Sequence, residues 1–94
     1  ITPKIKETNT SVYAQYSIRV KDREGMVAKL SALGVPTAVH YPLPLHLQEA
    51  FAYLGYKEGD FPISELVSQE IMSLPMSAYL SEAEQDFVVH AIKG

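Results

Sequence analysis

The sequence predicts a two-layer α+β domain: a three-stranded mixed or antiparallel sheet with helices packed on one face. Three observations predict it. Residues 12–20 (VYAQYSIRV) alternate, with Val12, Ala14, Tyr16, Ile18 and Val20 on one side and Tyr13, Gln15, Ser17 and Arg19 on the other. That is the period of a strand with one buried face. Met26, Val27, Leu30 and Leu33 recur at helical spacing and stop at Gly34, where a left-handed residue is wanted. Ser81-Glu82-Ala83-Glu84 has the spacing of a capping box, with Ser at the N-cap and Glu at N3.

The elements follow in chain order. Residues 1–11 (ITPKIKETNTS) are polar and aperiodic and read as a lead-in or linker; residues 12–94 read as one domain. After the strand over 12–20, Asp22 caps a helix over 22–33, whose first turn is weakened by Gly25. Val35 to Tyr41 is a second short strand, restricted by Pro36 and ended by Pro42. Residues 45–54 (LHLQEAFAYL) are a short helix ending at Gly55. Pro62 opens a helix over 62–70 with Ile63, Leu66 and Val67 inward. Ile71 to Leu74 is the third strand, stopped by Pro75, and a final helix over 81–93 turns Phe87, Val88, Ala91 and Ile92 inward. The uncovered sheet face and the two sheet edges are surfaces on which a neighbour docks.

Composition narrows the function classes. Ninety-four residues make one small domain, short for an enzyme of complex chemistry. With 47% hydrophobic and 20% charged residues, the chain is neither disordered nor fibrous. Without cysteine there is no disulfide, thiolate nucleophile or Cys-based zinc site. The net charge of −3 divides unevenly: +3 over residues 1–47 and −6 over residues 48–94. Neither half carries the dense basic stripe of a nucleic-acid binder, and no basic amphipathic helix suggests a membrane surface. The absence of a leading methionine at Ile1 reads as a piece of a longer protein.

Chemistry concentrates in His40-Tyr41-Pro42-Leu43-Pro44-Leu45-His46. Two histidines and a tyrosine sit at a strand end and in a loop that two prolines stiffen. His donates, accepts or shuttles protons near neutral pH; Tyr stacks on a ring and offers a hydroxyl. From the residues alone two readings stand: a rigid platform for polar side chains, or ordinary strand-end and loop residues. The spacing of His40 and His46 matches no zinc pattern, so no metal is expected. His90 complements the dipole at the end of the last helix, and Glu82, Glu84 and Asp86 form a solvated face at its start. No phosphate-cradling glycine loop, nucleophile elbow or facing carboxylate pair is present.

Five segments occur in one order and spacing: residues 12–19 (VYAQYSIR), 34–46 (GVPTAVHYPLPLH), 50–56 (AFAYLGY), 59–62 (GDFP) and 74–76 (LPM). Over residues 10–93 this resembles the C-terminal end of the DegT/StrS-type sugar-nucleotide aminotransferases, pyridoxal-phosphate enzymes of the aspartate-aminotransferase fold (fold type I). Glu49 departs from the pattern, which has proline there in many members. The resemblance implies that residues 12–94 are the small C-terminal domain of a larger enzyme. Its full-length form would transfer an amino group from glutamate to a nucleotide-linked keto sugar in amino-sugar and polysaccharide (for example lipopolysaccharide) biosynthesis, as a cytoplasmic homodimer. The Schiff-base lysine, the acid paired with the pyridine nitrogen and the phosphate-binding residues would lie in the preceding large domain. None of the lysines here matches that position, so the fragment alone would be inactive, with no catalytic and no cofactor-binding residue of its own. A substrate-contact role is carried onto His40, Tyr41 and His46. Two other readings stay open: a stand-alone ligand-binding or regulatory α+β module, and a small His-dependent enzyme.

Overall fold

Two antiparallel strands form the centre of the computed structural model, which describes all 94 residues. β1 (Tyr16–Arg19) pairs with β2 (Ile71–Leu74) in the register Tyr16↔Leu74, Ser17↔Ser73, Ile18↔Met72, Arg19↔Ile71. Ile18 and Met72 stand opposite each other on the inner face and are buried. On the other face the Ser17 and Ser73 hydroxyls hydrogen-bond at 2.8 Å. The Arg19 guanidinium donates from Nε and Nη2 to Glu70 Oε2 at 2.9 and 2.7 Å, and Val20 N–H donates to the Glu70 carbonyl, which extends the ladder.

Helix α1 (Arg23–Ala32) begins as the sequence predicts, with Asp22 accepting from Gly25 N–H at 2.9 Å. A Cβ on residue 25 would fall onto that carboxylate, so glycine allows the close approach that makes the cap. At the other end Val35 N–H donates to Leu30 O and Gly34 N–H to Ser31 O, with Gly34 at φ +76°. This is a Schellman motif, and its hydrophobic partners Leu30 and Val35 are both buried. Helix α2 (Pro62–Glu70) starts on Pro62 and runs directly into β2. Arg23 Nη1 donates to the Ser68 and Ile71 carbonyls and so satisfies orphan acceptors at the end of α2. Helix α3 (Glu82–Lys93) carries the expected capping box: Ser81 N–H donates to Glu84 Oε2 at 2.8 Å and Glu84 N–H to Ser81 Oγ at 3.3 Å. The backbone and hydroxyl bonds from Ser81 hold the Glu84 carboxyl below its usual range.

Four expectations are corrected. The first strand spans 16–19 and not 12–20. Tyr13 adopts φ +48° and donates its N–H to Ser11 Oγ, a turn that breaks the extended run and leaves Val12 90% exposed. The strand expected second, over residues 35–41, is absent as a strand: it meets β2 only through a bridge in which Ala38 and Ser73 exchange both backbone bonds. Val35 N–H is taken by the α1 cap and Pro36 has none to give, so pairing cannot start earlier. Residues 45–54 form two 3-10 segments, Leu45–Leu47 and Glu49–Leu54, parted by extended Gln48. Glu49 is the first residue of the second segment, where the N–H lacks an intrahelical partner, so a proline would fit there equally. Several residues expected inward face outward instead, among them Ile63, Leu66 and Phe87.

The core is correspondingly thin. Ile18, Leu30, Val35, Met72 and Ala91 form one buried cluster on the Ile18–Met72 face, where α1 packs against α3. No residue of α2 belongs to it. The accessible surface is 7290 Å², against about 5,400 Å² for a self-contained protein of this mass. The radius of gyration is 15.6 Å, against about 12 Å for a compact chain of this length. The excess of roughly 1,900 Å² is of the order of a complete protein–protein interface. No helix is long and apolar enough to cross a membrane.

Candidate functional site

Leaving the Ala38 bridge, the chain runs outward through His40 and Tyr41 into Pro42-Leu43-Pro44. Together with α2 it encloses an open groove of about 490 Å³. All three residues singled out from the sequence line it. His40 and Tyr41 are both exposed, their rings edge to face at 5.4 Å across a cis peptide bond. His40 also borders a second groove of about 260 Å³, shared with Gln15, Thr37 and Met76, and so stands on the wall between the two.

His46 is placed differently. Its side chain is only 7% exposed; Nε2 donates to Glu65 Oε1 at 2.8 Å, and the ring meets Phe61 edge to face at 4.8 Å. Because a carboxylate only accepts, the Nε2 position carries the proton. Glu65 also accepts from Gly59 N–H at 2.9 Å and from Phe61 N–H at 3.4 Å. The His46 bond first, then the two backbone bonds, holds the Glu65 carboxyl below the usual carboxylate range. With the folded value depressed, this clamp is complete above the ordinary range and is lost as pH falls through the lowered value.

Glu65 and Phe61 are the site residues that sequence reasoning missed. Their signal was the 59–62 segment, GDFP, which sets a turn ahead of the Pro62 helix start and brings a first-turn carboxylate back over it.

The groove wall is apolar from Leu43, Leu45, Phe61, Ile63 and Val67, with Gln48 and Ser64 as polar points. No lysine or arginine lines it. A phosphate finds no lysine or arginine here and an aldehyde no amine, so these residues do not fit pyridoxal phosphate. They offer polar donors and acceptors beside an apolar wall.

Residues 1–93 match the model of the DegT/DnrJ/EryC1/StrS aminotransferase family. The chain belongs to that family. A crystal structure of a DegT/DnrJ/EryC1/StrS aminotransferase from Brucella abortus superposes with a TM-score of 0.89 at 43% identity, covering 99% of this chain and 25% of that one. A Pleiotropic regulatory protein of Geobacillus stearothermophilus is 47% identical over 92 residues, 98% of this chain and 25% of its own length. The UDP-2-acetamido-2-deoxy-3-oxo-D-glucuronate aminotransferase of Pseudomonas aeruginosa is 44% identical over 91 residues, 97% of this chain and 24% of its own length. The chain thus spans about a quarter of the relatives it matches.

Proposed function

We propose that this DegT-family chain is the small C-terminal domain of a sugar aminotransferase and forms its sugar-facing surface. The whole enzyme transfers an amino group from glutamate to a nucleotide-linked keto sugar. Pyridoxal phosphate is held by the large domain of the same polypeptide. The observation that carries this reading is the groove itself: His40 and Tyr41 stand exposed on a proline-stiffened loop, beside an apolar wall without a cation. That chemistry suits the sugar ring and leaves the diphosphate and the cofactor to other parts of the enzyme. Tyr41 and His40 hydrogen-bond the sugar and orient its keto carbon; His46, committed to Glu65, supports the loop from behind. The resemblance extends the reading to a cytoplasmic homodimer in amino-sugar and polysaccharide biosynthesis, lipopolysaccharide included.

In the full-length enzyme, His40→Ala and Tyr41→Phe are each expected to weaken the sugar half of the reaction by about 0.5–1.5 kcal/mol, the worth of one neutral hydrogen bond. Glutamate handling stays unchanged. Single-turnover kinetics of the two halves measure this, with glutamate in one and UDP-2-acetamido-2-deoxy-3-oxo-D-glucuronate in the other. Equal losses in both halves contradict the sugar-specific role.

A second reading, a regulatory ligand-binding module, draws on the similarity to the Pleiotropic regulatory protein of Geobacillus stearothermophilus. It predicts ligand binding with no amino transfer by the full-length protein, and the same kinetics decide between the two.

A further inference from the structure

We infer that Glu65 is a positioning residue for the His40–Tyr41 platform, acting through His46 and through the turn before α2. This inference rests on the sugar-facing reading of the groove.

One carboxylate holds three donors from two separate loops: His46 Nε2, Gly59 N–H and Phe61 N–H. It is largely covered, with 16% of its side chain exposed. The first donor belongs to the loop that carries the platform. Between Tyr41 and His46 lie Pro42-Leu43-Pro44-Leu45, with φ fixed at two of the four positions. Anchoring His46 therefore restrains where Tyr41 and His40 project. The other two donors fix the turn that seats Phe61, whose ring covers His46 and forms part of the groove wall. Tyr56 packs edge to face on the same Phe61 ring at 5.0 Å, which ties the end of the second 3-10 segment into the arrangement. Gln48 Nε2 donates to Leu43 O at 3.1 Å and stiffens the loop from within, but it does not reach α2. Glu65 is the side chain through which the platform loop is hydrogen-bonded to that helix.

A side chain that only orients the platform affects substrate capture and spares the other half of the reaction. In the full-length enzyme, Glu65→Ala is expected to raise KM for UDP-2-acetamido-2-deoxy-3-oxo-D-glucuronate about tenfold. The glutamate half-reaction stays within about twofold of the parent. Glu65→Gln, which keeps an acceptor oxygen for the turn, recovers most of the loss. Amide hydrogen exchange over residues 41–48 and at Gly59 and Phe61 becomes faster in Glu65→Ala.

Equal loss of both half-reactions, with no rescue by Glu65→Gln, would overturn the inference. So would an unchanged sugar KM in Glu65→Ala when His40→Ala and Tyr41→Phe do raise it. If those two variants leave the sugar half-reaction untouched, the functional reading fails instead. In that case faster exchange over 41–48 still upholds the clamp, and unchanged exchange removes it.

Discussion

Leu30→Ala is expected to lower the unfolding free energy by about 2–5 kcal/mol, the range for deleting a fully buried leucine side chain. Leu30 has no exposed surface, and it carries two structural duties at once. Its side chain fills the centre of the five-residue core, and its carbonyl accepts from Val35 N–H in the cap that ends α1. Only seven residues of the chain are buried, so each core side chain carries a large share of the burial. A domain of this size has a total stability of about 5–10 kcal/mol, so the loss is a large share of it. Urea denaturation of the chain and its variant measures the difference. A change below about 1 kcal/mol would show that Leu30 is not where the core is centred.

Ile18→Ala is expected to cost about the same 2–5 kcal/mol, and Val12→Ala no more than about 0.5 kcal/mol. Both residues belong to one alternating series in the sequence. Ile18 lies opposite Met72 in the ladder and is 6% exposed, whereas Val12 precedes the Tyr13 turn and is 90% exposed. Paired thermal melts of the two variants test where the strand begins. Similar losses at both positions would return Val12 to the sheet.

The same contrast explains what was legible in the sequence. The Asp22 cap, the Gly34 ending of α1 and the Ser81–Glu84 box each close within five residues, and local spacing determines them. The short strand 71–74 was legible too, because Pro75 and the preceding helix bound it on both sides. The extent of the first strand was not, since period two continues through residues 12–15 while the backbone turns at Tyr13. The strand expected over residues 35–41 shrank to the Ala38 bridge because Val35 and Pro36 offer no free donor. For the site, residue type and proline spacing pointed to the right loop. The partner of His46 lies nineteen residues away on another element, and no local pattern carries that pairing.

The exposed apolar residues bear on function as well. Tyr41, Leu45, Tyr53 and Ile63 are each at least 65% exposed. Together with the surface excess, they leave more apolar surface open than a self-contained protein of this mass exposes, and the chain spans a quarter of the relatives it matches. Under the proposed function, this part of the enzyme presents the sugar-facing groove while the lysine that bonds the cofactor lies elsewhere. Its most direct test is a visible absorbance titration of the 94-residue chain with pyridoxal phosphate. No saturable band is expected, only the slow, non-saturating reaction common to exposed lysines. A saturable band abolished by substituting a single lysine would contradict it.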